Sequence, residues 1–231
     1  MPRDTSGIPQ RLRGGLIASC QPVRGGPLDR PHLVAALAQA TEAGGAVGLR
    51  IEGLADLEAT RAVTRLPIIG LVKKEVEGSP VYITPHLADV EALARRGAEI
   101  IAFDATRRPR PVPVADLIAA VHAHGCLAMA DVSTLEEGLE AHRLGADLVG
   151  STLSGYTEHS PKLAGPDLEL VRQLAAHGLR AVAEGRIGTP HEARAALEAG
   201  AFAVTVGTAL TRIELLTKAF VDALAEGKVA G

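Results

Sequence analysis

The sequence has few aromatic residues and only two cysteines, and each shortage argues against a class of protein. Phe, Tyr and Trp make up 2% of the 231 residues, and Trp is absent. Because proteins that bind single-stranded nucleic acid stack the bases on aromatic rings, this chain has little to offer such a ligand. Cys20 and Cys126 lie in apolar segments and share no metal-ligand spacing. We therefore expect no disulfide framework and a reducing, cytoplasmic location.

A strong net charge and long apolar runs are also missing. The chain has 24 Lys and Arg against 27 Asp and Glu, a net charge of −3, which provides no basic surface for nucleic acid or membrane. No apolar run has the length that spans a bilayer. Residues 1–15 lack the apolar centre of a secretory signal. We expect a soluble protein with no nucleic-acid partner and no membrane partner.

What the sequence does contain is a repeated pattern, in which a helical stretch ends in glycine and an apolar, β-rich stretch follows. The pattern recurs about every 50 residues, which fits two βα units, so four repeats make an eightfold barrel. Its anchor glycines are Gly44, Gly97, Gly145 and Gly200. The eight apolar runs that we interpret as strands are 15–21, 46–52, 67–73, 100–106, 127–133, 147–154, 180–187 and 203–209. The sequence therefore predicts an α/β protein, a single (β/α)8 TIM barrel with eight parallel strands.

We divide the chain into an N-terminal extension (1–14), the barrel (15–226) and a C-terminal tail (227–231), since 231 residues leave little for a second domain. All strands of such a barrel end at the face where active sites lie. Polar or ionisable residues, or glycine, stand at the eight predicted strand ends: Gln21, Arg50, Lys73, Asp104, Asp131, Ser151, Thr152, Glu184, Gly207 and Thr208. Because charged groups are costly to bury without a purpose, the barrel mouth is predicted to bind a polar ligand.

Lys73 and Glu184 are the candidate proton-transfer residues. Lys73 shares a strand face with Ile69 and Leu71, and desolvation together with a nearby cation such as Arg50 would lower its pKa and make it a usable base. Strands 3 and 7 lie opposite each other in a ring of eight, so Lys73 and Glu184 would approach a substrate from opposite sides. That arrangement suits removal of a proton from one face of a carbon and its return to the other. Two alternatives stay open: Lys73 forms a surface salt bridge, or Lys73 and Glu184 pair with each other.

Segments 183–189 and 205–212 predict a phosphate site. Both are glycine-containing turns after strands 7 and 8, where barrels of this kind bind phosphate through exposed backbone N–H groups. Gly185 and Gly207 permit close approach of a ligand, and Arg212 adds a cation. The alternative is that these glycines only turn the chain.

The histidines and the remaining charged residues indicate no metal site. None of the eight histidines falls at a strand end, and no metal-binding motif occurs, so we expect no metal. Asp104 and Asp131 are candidate hydroxyl acceptors, lysine partners or metal ligands. Segments 81–86, 106–111 and 153–157 are candidate gating loops. Arg107, Arg108 and Arg110 form a small basic cluster in the second of them, which a solvated loop explains equally well.

In their order along the chain, these motifs resemble the N-acylglucosamine-6-phosphate 2-epimerase family, also called N-acetylmannosamine-6-phosphate 2-epimerases. The matching segments are LIASCQ (16–21), GLRIEG (48–53), LPIIGLVK (66–73), VYITP (81–85), FDATRRPRP (103–111), MADVSTLEEG (129–138), GADLVGSTLSGYT (145–157), AEGRIGTP (183–190) and TVGTALTR (205–212). They cover nearly the whole chain. Two departures are PVRGGPLDRP after SCQ and Ile213, where the family usually has proline.

The resemblance implies a TIM barrel that interconverts N-acetylmannosamine 6-phosphate and N-acetylglucosamine 6-phosphate in sialic-acid catabolism. It implies the catalytic residues Lys73 and Glu184. It implies substrate contacts at Gln21, Arg50, Asp131 and Thr152, and phosphate contacts at Gly185, Arg186, Gly207, Thr208 and Arg212. No cofactor is expected because the reaction is redox-neutral, and a homodimer through the C-terminal helix is implied. The alternatives are a pentose-phosphate epimerase, a Schiff-base aldolase, and a phosphosugar-binding barrel without turnover.

Overall fold

The computed structural model describes residues 5–226 and has eight parallel strands in a closed barrel, each pairing with its neighbours in chain order. The strands are β1 (Leu16–Ser19), β2 (Gly48–Glu52), β3 (Ile68–Leu71), β4 (Ile100–Asp104), β5 (Leu127–Asp131), β6 (Leu148–Gly150), β7 (Ala181–Glu184) and β8 (Ala203–Val206). The pairing of β1 with β8 closes the ring. The predicted TIM barrel is confirmed.

Helices alternate with these strands. They are α1 (Ile8–Leu12), α2 (Pro31–Ala43), α3 (Leu54–Val63), α4 (Leu87–Arg95), α5 (Val114–Ala123), α6 (Leu135–Arg143), α7 (Leu168–Ala176), α8 (Pro190–Glu198), α9 (Thr208–Thr211) and α10 (Ile213–Glu226). Helices α6 and α8 begin as their sequences predict, because Thr134 and Thr189 cap the first turn and a glutamate three residues later bonds back. No helix in residues 5–226 has the length and apolar character to cross a bilayer.

The core has two layers, because alternate residues of each strand face opposite sides of the barrel wall. Ile17, Ile69 and Leu71 pack inside the barrel. Leu49 and Phe103 pack outside it, against the helices. The inward row of β3 therefore continues from Ile69 and Leu71 towards position 73 at the mouth.

Helix α1 closes the other end of the barrel. It lies in the segment interpreted as an N-terminal extension, and its residues Ile8 and Leu12 are buried in the interior cluster. A Cβ atom added to Gly48, at the start of β2, would lie 2.6 Å from a Leu12 methyl group, which places Leu12 at the amino ends of the strands. The carboxyl ends are left as the open face. Residues 1–4 and the predicted tail 227–231 lie outside the described residues.

Several element ends differ from the sequence predictions; Gln21 and Thr208, for example, lie beyond the ends of β1 and β8. Strand β3 ends at Leu71, so Lys73 lies beyond it and is held by an isolated antiparallel bridge to Ile83. Strand β6 ends at Gly150, and a 3₁₀ turn follows over Ser151–Leu153. The left-handed residue after α2 is Gly45 (φ 99°), not the predicted anchor Gly44, because the helix continues one residue further.

Candidate active site

A cavity of about 290 Å³ lies at the carboxyl ends of the strands. Every site residue that the family resemblance implies, except Asp131, lines it: Gln21, Arg50, Lys73, Thr152, Glu184, Gly185, Arg186, Gly207, Thr208 and Arg212. These residues come from six strands (β1, β2, β3, β6, β7 and β8) and from the loops that follow them. The barrel topology therefore gathers side chains that are far apart in sequence.

Arg50 is the electrostatic centre of the cavity floor. Its side chain is 2% exposed, with Nη2 2.6 Å from Asp131 Oδ2 and Nη1 3.2 Å from Glu184 Oε2. Burial opposes the charged form of Arg50, but the Asp131 and Glu184 carboxylates outweigh this and raise its pKa above the ordinary value. Arg50 is thus a permanent cation that joins two buried carboxylates.

Asp131 lies behind the cavity wall instead of lining it. It is fully buried, and Oδ1 accepts hydrogen bonds from Arg50 Nη1 (3.2 Å) and Thr152 Oγ1 (2.7 Å). The Thr152 hydroxyl is also 3.3 Å from Glu184 Oε2. Asp131 therefore orients Arg50 and Thr152, and these two side chains meet the cavity.

Lys73 faces the cavity from the side of β3. Its Nζ donates a 2.6 Å hydrogen bond to Gln21 Oε1. Burial lowers the pKa of Lys73; Arg50 and Arg212 lower it further, against the opposing effect of Glu52 and Glu184. An amine in this setting is a better base at neutral pH than an exposed lysine.

The surface salt bridge that was an alternative for Lys73 is formed by its neighbour. Lys74 faces the other way and pairs with Asp89 at the start of α4. Within residues 5–226, no carboxylate lies within salt-bridge distance of the Lys73 amine. Because Lys73 and Lys74 are adjacent in an extended segment, their side chains face opposite sides, which accounts for their different partners.

Glu184 faces the cavity from β7, on the opposite side of the ring from β3. Burial raises its pKa to about 7, an effect that Asp131 reinforces and that Arg50 and Lys73 partly offset. Its backbone is held by Ser151, whose Oγ donates to Glu184 O and accepts from Glu184 N, both at 3.0 Å. The carboxylate pairs with Arg50, and not with Lys73, in the described residues. A carboxyl group with this pKa can give or take a proton near neutral pH.

The turns after β7 and β8 form one wall of the cavity. Gly185 has a φ of 110°, which favours glycine, and a Cβ atom on Gly207 would lie 3.3 Å from Ser19 Cβ. The Arg186 guanidinium donates to Ser154 O at 2.7 Å and to Gly165 O at 2.8 Å. Carbonyl groups thus fix the Arg186 side chain, and the turns present small residues to a ligand.

The sequence interpretation missed several residues that line the cavity: Ser19, Tyr82, Ile83, Tyr156, Ile187 and Thr205. Thr205 stands beside Glu184 in the register of β7 and β8, and its buried hydroxyl has no hydrogen-bond partner among residues 5–226. Strand parity could have revealed it, since the inward row of β8 includes Ala203 and Thr205. Tyr82 and Tyr156 lie in segments that read only as gating loops.

The end of β4 and the basic cluster are not part of the cavity. Asp104 accepts hydrogen bonds from Thr106 Oγ1 and Arg108 Nη2, both at 2.6 Å. Arg110 donates to the carbonyl oxygen of Asp104, and Arg107 pairs with Glu140. Arg108 therefore neutralises Asp104, Arg110 orders the loop after β4, and these contacts favour an ordered loop over a ligand-binding one. Across residues 5–226, no three His, Cys, Asp or Glu side chains are placed to hold a metal ion.

Known proteins resemble this chain in both sequence and fold. A family model described as "Putative N-acetylmannosamine-6-phosphate epimerase" (NanE) matches residues 34–226. The chain is 57% identical over 202 residues to the "Putative N-acetylmannosamine-6-phosphate 2-epimerase" of Escherichia coli O157:H7, covering 87% of each chain. The protein of that name from Shigella flexneri matches with the same identity and coverage.

Solved structures agree with this result. The N-acetylmannosamine-6-phosphate 2-epimerase from Clostridium perfringens superimposes with a TM-score of 0.93 and 42% identity, over 96% of this chain and 99% of that one. Thiamine phosphate pyrophosphorylase from Pyrococcus furiosus has a TM-score of 0.59 and 20% identity over 86% of this chain and 88% of its own, a likeness of fold alone. From its barrel, its cavity and these matches, the chain belongs to the N-acetylmannosamine-6-phosphate epimerase family.

Proposed function

We propose that this protein interconverts N-acetylmannosamine 6-phosphate and N-acetylglucosamine 6-phosphate, a step of amino-sugar metabolism, with Lys73 and Glu184 as its proton-transfer groups. One observation carries the residue assignment. An amine with a lowered pKa and a carboxyl group with a raised pKa face one cavity from opposite strands without pairing with each other. Two pKa values that are displaced in opposite directions in this way are typical of an acid and a base that act together.

The chemistry acts on the open-chain sugar. Carbon C2 lies next to the C1 aldehyde, so its proton becomes acidic once the carbonyl oxygen is stabilised. Lys73 takes this proton, the C1–C2 bond gains enolate character, and Glu184 returns a proton to the opposite face. A substrate hydroxyl that Glu184 activates is the alternative donor on that face. The configuration at C2 is inverted, and no electron acceptor is required.

Arg50 stabilises the developing negative charge. It is the buried cation at the cavity floor, and its two carboxylate partners hold it still. Preorganised charge of this kind needs little rearrangement when the substrate becomes anionic. Asp131 acts through Arg50 and Thr152, and Gln21 and Thr152 are the polar groups that orient the sugar.

The 6-phosphate is assigned to the turns after β7 and β8. Backbone N–H groups of Gly185, Arg186, Gly207 and Thr208 supply the donors, and Arg212 supplies a cation at the rim. Anchoring the distant phosphate would hold C2 between Lys73 and Glu184, so that binding energy serves positioning.

The direct test is deuterium uptake at C2 of N-acetylmannosamine 6-phosphate in D₂O, followed by NMR. Lys73→Ala is expected to lower the rate by about 10²- to 10⁴-fold, the usual contribution of a proton-transfer group. Arg172→Ala, which removes an exposed cation from α7, is the matched control and is expected to exchange normally. Normal exchange in a folded Lys73→Ala protein, or a Schiff base trapped on Lys73 by borohydride, would contradict the mechanism.

We also propose that the protein is a homodimer that joins through α10. This helix leaves Phe220 74% exposed and Leu224 70% exposed, next to the exposed Val221. Exposed apolar clusters of this kind mark interaction surfaces. Light scattering is expected to give twice the 23.9 kDa chain mass, and Phe220→Asp to give the single mass. A cytoplasmic location is inferred from the content of only two cysteines, both buried, and cell fractionation tests it.

A further inference from the structure

A second cavity, of about 730 Å³, adjoins the candidate active site. Four long side chains line both cavities and form the junction between them: Gln21, Lys73, Tyr82 and Arg212. The second cavity extends away from the barrel, between the loops that follow β1 and β3 and the start of α10. Nothing in the proposed reaction on an N-acetyl sugar uses this space.

Apolar and charged residues both line the second cavity, and beyond the junction its two cations (Arg24 and Lys74) are balanced by two anions (Glu52 and Glu75). Pro22 and Val23 come from the loop after β1, Val76 and Pro80 from the loop after β3, and Leu215 from α10. Of the residues assigned to phosphate, only Arg212 reaches the junction. The others line the first cavity only: Gly185, Arg186, Gly207 and Thr208. The second cavity is therefore suited to an uncharged, partly apolar part of the ligand.

The geometry at C2 determines which part of the substrate reaches the junction between the two cavities. When C2 loses its proton it becomes trigonal, so its nitrogen lies in the plane that separates the Lys73 side from the Glu184 side. The acyl group on that nitrogen must therefore extend sideways across the cavity. Towards β5 this path is closed, because Arg50 and Asp131 are buried there and joined by a 2.6 Å contact. Towards β1 it reaches Gln21, which lines both cavities.

We propose that the second cavity is an acyl subsite, which admits N-acyl groups longer than acetyl. This inference rests on the proposed function, because it takes C2 to lie between Lys73 and Glu184. An acetyl group ends near the junction, whereas a butanoyl group continues between Val23 and Val76. The ligand class is thus a 2-acylamido sugar 6-phosphate with a short, uncharged acyl chain.

The test compares N-acetyl- and N-butanoylmannosamine 6-phosphate in the deuterium-exchange assay. The wild-type protein is expected to process both with kcat/KM values within about tenfold, since a pocket that accommodates extra methylenes does not penalise them. Val23→Phe and Val76→Phe, made singly because they lie in different loops, are expected to lower kcat/KM for the butanoyl substrate by about tenfold or more and that for the acetyl substrate less than about threefold. Val63→Phe, at an exposed valine that ends α3, is the matched control and is expected to change neither value.

Three outcomes would overturn the inference. Wild-type kcat/KM more than about 100-fold lower for the butanoyl than for the acetyl substrate would show that the subsite does not admit the chain. An equal loss of both activities in both phenylalanine variants would show that these loops serve the reaction or the fold generally. No exchange with either substrate in the wild-type protein would refute the proposed function, and the acyl subsite with it.

Discussion

Replacing Glu184 with glutamine tests whether this carboxyl group and Lys73 share one proton during the reaction. Epimerisation in either direction needs one proton on the pair, because one group must take a proton while the other gives one. Burial raises the pKa of Glu184 to about 7 and lowers that of Lys73 below 10.5. Below pH 7 both groups are protonated and no base is present. Above the pKa of Lys73 both are deprotonated and no acid is present.

The expected wild-type profile of kcat/KM is therefore a bell. It rises by about tenfold per pH unit up to pH 7 and falls again as the pH passes the lowered pKa of Lys73. Glu184→Gln keeps the side-chain size, and Arg50 keeps its pairing with Asp131, so the barrel is expected to stay folded. Loss of one acid–base group lowers kcat by about 10²- to 10⁴-fold. The limb near pH 7 is expected to disappear with it.

The assay is C2 deuterium exchange by NMR between pH 5.5 and pH 10, chosen as about 1.5 units below the pKa of Glu184 to the alkaline limb of Lys73. The substrate phosphate also titrates, with a second pKa of about 6, but it does so equally with both proteins. The difference between the two profiles therefore reports Glu184. A variant with wild-type kcat, or one that keeps the limb near pH 7, would refute the assignment.

Three further predictions concern stability and reactivity. Arg50→Met is expected to lower the free energy of unfolding by about 3 to 5 kcal/mol, because Asp131 and Glu184 lose their buried partner; urea denaturation measures this, and a loss below 1 kcal/mol would contradict it. Leu12→Ala is expected to cost about 3 to 5 kcal/mol through a cavity at the closed end of the barrel, and an unchanged melting temperature would show that α1 is dispensable. Burial raises the pKa of the Cys20 thiol to about 11, so Ellman's reagent at pH 8 is expected to label it only after unfolding, and rapid labelling of the native protein would argue against this environment.

The spacing of apolar residues and the glycines that end the helical stretches were enough to predict the barrel. Alternating apolar runs and glycine-ended helical patterns are local features, and a closed eightfold ring is the arrangement that buries all of them. The prediction was less accurate at element ends, as at Gly44 and Lys73, because the last residue of a strand or helix depends on pairing with distant segments such as Ile83.

The candidate site, too, was predicted only in part. Strand-end position and motif resemblance named Lys73, Arg50 and Glu184, since side chains at strand ends share one face whatever the details of packing. They did not indicate that Asp131 would lie behind Arg50, or that Thr205 would line the cavity.

The sequence by itself determined the fold, the polarity of the barrel and the identity of the groups at its mouth. Only the tertiary structure decided which of these groups are paired and which are left to meet a ligand. The physical reason is that pKa and pairing depend on burial and on distances between charges from different strands. Those distances arise when the ring closes, and they place Glu184 beside Arg50 and the Lys73 amine beside Gln21.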